Sequence, residues 1–195
     1  MAIKTANNKS MSAITALPSG VSAKSLILIS TTEASSSSTV DITSGIDDTY
    51  KEYIIKVIDI HPSATQDFRF QGNAAGGSGF NETITSTHFR SYNNEAGDTT
   101  SLAYSAGHDL AQGSGAQILF NGVGADNDQS ASGTLHLFDP SSTTFVKHWI
   151  WQGTQYQADY FAAGYCNVTA AIDGVQFAMA SGNIDAGTFK LYGVS

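Results

Sequence analysis

Hydrophobic and polar residues alternate in short runs along most of this chain, and turn residues interrupt them every eight to twelve positions. QDFRFQG (66–72) sets Phe68 and Phe70 against Asp67, Arg69 and Gln71. GTLHLFD (133–139) and GTFKLYGV (187–194) repeat the pattern with Leu135/Leu137 and Phe189/Leu191. A period of two places large apolar groups on one face of a strand and polar groups on the other. Further strands are predicted at KSLILIS (24–30), STVDITSG (38–45), YKEYIIKVIDIH (50–61), NETITSTHFRSY (81–92), AQILF (116–120), TFVKHWIWQG (144–153), YCNVTAAI (165–172) and VQFAMAS (175–181), with YQADYFAAG (156–164) partly extended. TTEASSSS (31–38) and AAGGSG (74–79) read as turns or loops. Residues 93–115 hold either a short helix around LAYSA (102–106) or a long loop. About ten strands at this spacing predict an all-β fold, an antiparallel sandwich of the jelly-roll kind over residues 24–195. Residues 1–23, polar and weakly periodic up to Pro18-Ser19-Gly20, are expected to be an extended docking arm with Met11, Ile14 and Leu17 as its apolar contacts. In YIIKVIDI, Ile54, Ile58 and Ile60 share one face while Ile55 and Val57 take the other. That strand is therefore expected to be partly covered on both sides, by a loop or arm over its outer face or by a second subunit.

Composition narrows the picture. The 195 residues suit one domain. Only 13% are charged, and 24 Ser, 19 Thr and 19 Gly take the place of the missing charge. A net charge of -8, with nine scattered Lys and Arg, argues against nucleic-acid binding, which needs a basic face toward phosphates. LILI (26–29) is far too short to span a bilayer, and the first twenty residues lack a secretory apolar core. With a single cysteine, Cys166, an internal disulfide is impossible, so synthesis in a reducing cytoplasm is expected. Sequons at Asn8, Asn81 and Asn167 then read as chance matches.

Candidate chemistry is sparse. Asp126 and Asp128 alternate with Asn127 and Gln129, as calcium ligands do, but the remaining EF-hand positions are not filled, so the segment reads as a solvated turn. Asp47-Asp48 reads as a polar cap. Histidines 61, 88, 108, 136 and 148 form neither an HxH nor an HExxH pair. The chain has no G-x-S-x-G elbow, and Glu33, Glu52, Glu82 and Glu95 are too dispersed to mark an acid/base pair. Cys166 reads as a small buried hydrophobe. No catalytic residue, metal or cofactor is therefore assigned. Trp149 and Trp151, two apart and on one strand face, leave three readings open: a core face, an interface, or a glycan platform completed by Tyr156.

The C-terminal segment AIDGVQFAMASGNIDAGTFKLYGVS (171–195) resembles the signature of a family of small virion proteins of tailed bacteriophages, notably of marine bacteria. The matching positions are Ile172, Phe177, Ser181, Gly182, Asn183, Ile184, Gly187, Phe189, Leu191, Tyr192, Gly193 and Val194. NNKSMSAITALPSG, KEYIIKVIDIHP and SGTLHLFDPSSTTFVKHW look similar to the same family. The resemblance implies a jelly-roll-like structural protein without catalytic residues. Such a protein would be made in the host cytoplasm, released by lysis, and would decorate the capsid or form part of a tail or fibre as a homo-oligomer. The alternative is a carbohydrate-binding module for host surface glycan. A polysaccharide depolymerase is a third reading and would need carboxylates converging in a cleft. Read without the resemblance, SGNIDAG (181–187) is a tight link between two strands, with Ile184 free to enter the core.

Overall fold

The computed structural model describes residues 26–195. The arm residues Met11, Ile14 and Leu17, with the rest of the 1–23 segment, lie outside the described residues. Among these, twelve strands form two antiparallel sheets: β1 (Leu26–Ser37), β2 (Thr39–Ile42), β3 (Glu52–Pro62), β4 (Gln66–Ala74), β5 (Ile84–Asn93), β6 (Thr100–Tyr104), β7 (Gln117–Val123), β8 (Ala131–Phe138), β9 (Lys147–Gln155), β10 (Ala158–Cys166), β11 (Ile172–Met179) and β12 (Ile184–Val194). Eight strands run in the order β1-β12-β3-β8-β9-β10-β5-β6, and four in the order β2-β11-β4-β7. The protein is all-β and sandwich-like.

The inward faces make one aromatic core. From the small sheet, Phe68 stacks on Phe177 with ring centroids 5.6 Å apart. Phe177 meets Phe189 of the large sheet at 5.2 Å. Phe70 meets Trp149 edge-on at 5.1 Å, and Phe120 meets Trp151 edge-on at 5.2 Å. Edge-to-face contacts between rings of this size add to the area they remove from water. Gly133 and Gly153 are cross-strand partners beneath these rings. A Cβ on Gly133 would come within 2.4 Å of the Trp151 ring, and one on Gly153 within 2.5 Å of Phe120, so Gly133 must stay bare for the indole and Gly153 for the phenyl ring.

Four differences from the sequence reading have physical causes. β1 does not stop at Ser30 but continues through the Ser-rich stretch, paired with β12 to Ser37. As an edge strand it buries little, so serine and threonine serve it well. β6 is a strand where a helix or loop was expected, and every one of its residues is exposed, so no alternation announces it. YCNVTAAI is split, because β10 ends at Cys166 and β11 begins at Ile172. In β3 the register shifts between Val57 and Ile60, with Asp59 at φ 52. This bulge turns Ile60 inward to join Ile55 and Val57, leaving Ile54 and Ile58 outside.

At the C-terminus the expected pattern holds. The β11–β12 turn carries Gly182 at φ +74, a left-handed conformation that glycine adopts without strain. Ile184, Phe189 and Leu191 are buried, while Lys190 and Tyr192 face outward.

Candidate interaction surface

Trp149 and Trp151 share a face, as their spacing predicts, but it is the inner one. They are 1% and 0% exposed. β9 alternates perfectly between buried and exposed from Lys147 to Gln155, so Ile150 rather than either indole meets solvent. Tyr156 is exposed, yet it stands in the turn between β9 and β10, its hydroxyl 3.5 Å from Glu95. The sequence-derived platform of Trp149, Trp151 and Tyr156 is therefore not assembled. Core packing took the indoles, because two adjacent large rings on one strand face fill the gap between sheets better than any surface use could repay.

What the strands present outward is different. Cross-strand register lines up Ala163, Ile150, His136, Ile54, Tyr192 and Leu28 across the large sheet. A parallel row runs Tyr104, Phe89, Phe161, Gln152, Thr134 and Lys56. Phe89 and Phe161 stack with centroids 5.0 Å apart and planes 9° from parallel. Leu26, Leu28, Phe89, Leu102, Tyr104 and Ile150 are all large, exposed and on this one face. Among the described residues, the outer face of the small sheet has no exposed large hydrophobic side chain. Its rows are polar, for example Asp41–Gln176–Gln71.

No protein-family model matches this chain, and no curated protein matches it. The chemistry of the surface must carry the functional reading.

Among the concavities on or beside the outer face, two reach about 540 Å³ or more. A shallow groove of about 610 Å³ crosses β3, β8, β9 and β10 and is lined by Lys56, Thr134, His136, Ile150, Gln152 and Asp159. His136 Nδ1 lies 2.6 Å from Glu52, and the Lys56 ammonium sits 5.8 Å from the Tyr192 ring centre. The second, about 540 Å³ and mostly apolar, lies at the β8–β9 connection around Phe138, Phe145, Val146 and His148. Phe145 is 69% exposed there.

Buried polar groups hold the loops that frame this face. Lys147, inward-facing and 0% exposed, donates from Nζ to the carbonyls of Phe145 (2.6 Å), Thr169 (3.2 Å) and Val168 (3.3 Å). Burial holds its ammonium below the usual lysine range, and the three carbonyls replace the lost water. Gln117 donates to the carbonyls of His108 and Ile118, both at 2.8 Å, and shares a 2.5 Å hydrogen bond with Ser86. Together these fasten residues 105–117 against β5. His88 is fully buried at the same place, 5.1 Å from His108 and 5.7 Å from Tyr160 between ring centres. Neither ring nitrogen has a partner of normal geometry, although the Leu119 main chain lies close enough to oppose the shift in part. Burial, then the neighbouring His108, pushes His88 down to about 4.

The other sequence candidates stay apart. Asp47 accepts hydrogen bonds from the Thr49 amide and the Tyr53 hydroxyl, both 2.8 Å, which is a cap over a core tyrosine. Among the described residues no group of three His, Cys, Asp or Glu side chains is placed to hold a metal ion. Cys166 is buried and its thiol is pushed up to about 12 by desolvation. Sequence reasoning missed Phe89, Leu102, Tyr104 and Phe161. THFR (87–90) shows alternation around Phe89, but nothing in the sequence says which face lacks a cover.

Proposed function

We propose that this chain is a non-enzymatic structural component of a bacteriophage virion, decorating the capsid or forming part of a tail or fibre by self-assembly and by docking of its N-terminal arm. The observation that carries the assembly reading is the one-sided distribution of exposed apolar side chains on the large sheet. Among the described residues, exposed large apolar side chains gathered on one sheet face while the other sheet's outer face has none support protein contact there. The phage context rests on the resemblance of the C-terminal segment and of the runs around β3 and β8. The finer architecture we read is a jelly roll. A sandwich fixed by an aromatic core loses little conformational entropy on docking, which suits a repeated building block. Particles would form in the host cytoplasm and leave by lysis.

The test is negative-stain imaging of virions carrying a label at the C-terminus of this chain. Regularly spaced label on intact particles supports the proposal and fixes capsid against tail. Absence of the protein from purified particles overturns it.

A glycan-binding reading now rests on the outer groove instead of the tryptophans. Gln152, Thr134, Lys56 and Asp159 offer donors and acceptors beside the exposed Phe89–Phe161 stack. Glycan-array binding by the wild type that disappears in Gln152→Ala would favour it over the structural role.

A further inference from the structure

Among the described residues the two sheets have four edges, β1, β6, β2 and β7, and they are not equally protected. An edge strand exposes unpaired amides and carbonyls, and proteins normally blunt it with a bulge, a charge, a proline or a very short strand. β1 carries a register shift between Leu28 and Ser30 and a carboxylate at Glu33. β2 has four residues, one of them Asp41. β7 is irregular against β4 at two places. β6, Thr-Ser-Leu-Ala-Tyr, is short at five residues but has neither bulge, charge nor proline. It pairs with β5 in unbroken register, holds no charge and no proline, and is exposed on every residue. Both its faces are open, since residues that alternate between them are all exposed.

We infer that β6 is the strand through which two copies of this chain join, pairing antiparallel with its own counterpart about a two-fold axis at Leu102. This rests on the assembly reading above and names its surface and partner. A two-fold at Leu102 sets Leu102 against Leu102 of the second copy and Tyr104 against Thr100, extending the large sheet from eight strands to sixteen. The contact is self-complementary: five neutral residues meet five neutral residues, in a chain whose net charge of -8 opposes approach elsewhere. The nearest carboxylates are already engaged. Asp98 bonds Asn94 and Thr99 within the β5–β6 turn, and Asp109 accepts from the Tyr104 hydroxyl at 2.5 Å. Arg90, on β5, lies over Tyr92.

The area fits a reversible contact. Leu102, Tyr104 and Phe89 are 76%, 57% and 42% exposed. At roughly 200 Å² per large side chain, they offer roughly 350 Å² of apolar surface per copy before the main chain is counted. Two copies thus fall below the ~1,200 Å² of a standard stable interface. A weak pair in dilute solution is the expectation, strengthened when many copies are arrayed together.

The experiment uses the full chain, in sedimentation velocity over a concentration series. The wild type should shift from monomer to dimer as concentration rises, and Leu102→Lys, at a solvent-exposed site, should weaken that shift at least tenfold without changing the far-UV spectrum. Leu102→Cys should cross-link to a dimer on mild oxidation, since directly opposed residues in antiparallel strands lie about 4.5–5.5 Å apart, within disulfide reach. The buried Cys166 does not compete. A wild type that stays monomeric to about 1 mM, with no Leu102→Cys cross-link, overturns the inference. So does an oligomer that Leu102→Lys leaves intact, or open-ended polymer instead of a dimer. Protection of the β6 amides in the monomer that vanishes on deleting residues 1–25 would assign the edge to the chain's own leader and also overturn it. Each of these outcomes concerns β6 alone, whereas the virion proposal fails on particle labelling.

Discussion

His88 gives the sharpest energetic prediction. It lies on β5 with 0% exposure, and its neutral form is favoured because an imidazolium there would lose its water and face His108. Around it stand Ser86 and Arg90 on its own strand, His108 and Asp109 on the following loop, Gln117 and Leu119 on β7, and Tyr160 on β10. The folded value of about 4 lies below the ordinary 6.5. Below pH 6.5 the unfolded chain therefore takes up a proton that the folded chain refuses until about pH 4. Stability from the neutral imidazole is complete above pH 6.5, drains as pH falls toward 4, and levels off beneath. At 1.36 kcal/mol per pK unit the full loss is about 3 kcal/mol, of which about 2 kcal/mol is gone by pH 5. Carboxylates such as Asp47 and Asp98, held low by their hydrogen bonds, also weaken the fold in acid, so the comparison must be differential. Urea unfolding of wild type and His88→Leu at pH 7.5, 6 and 5 isolates the histidine. The stability difference between the two proteins should move by about 2 kcal/mol in favour of the variant between pH 7.5 and 5. Parallel profiles across that range would refute a buried neutral His88.

Three further outcomes follow from the packing. Trp151→Ala should cost about 3–5 kcal/mol by denaturant unfolding, since the ring is 0% exposed between Phe68 and Phe120; a cost under about 1 kcal/mol would place the indole elsewhere. Gly133→Ala should cost about 1–3 kcal/mol, because the new methyl collides with that same indole, and a neutral effect in the same assay would contradict the close approach. Cys166 should resist iodoacetamide at pH 8 in the native protein and react fully in urea, as a buried thiol held at about 12 carries almost no thiolate; fast native labelling, read by mass spectrometry, would contradict its burial.

Sequence legibility followed burial. Strands with one dry and one wet face, β4, β8, β9 and β12, were readable from parity alone, down to the inward Phe189 and Leu191 and the outward Lys190 and Tyr192. β3 was readable as a strand but not in phase, because the bulge at Asp59 changes parity midway and apolar residues on both sides conceal it. The edge strands failed for the opposite reason. β6 and the serine-rich half of β1 bury almost nothing, so no hydrophobic period exists to find. Parity also located the tryptophans on one face without saying which. That choice depended on Phe70 and Phe120 arriving from the other sheet, a contact between residues far apart in sequence. The candidate surface was hidden likewise, since its exposed row is assembled from strands brought together by pairing alone.

The proposed meeting place of copies is the outer face of the large sheet, with β6 at its edge. Hydrogen exchange on the full chain, dilute and assembled, tests this most directly. Amides of Thr100, Leu102 and Tyr104, which the ladder to β5 leaves pointing outward, should exchange quickly in the dilute protein and slow by at least tenfold on assembly, while β2 and β7 keep their rates. Slowing confined to β2 and β7, or unchanged exchange at those three amides in an assembled sample, would contradict it.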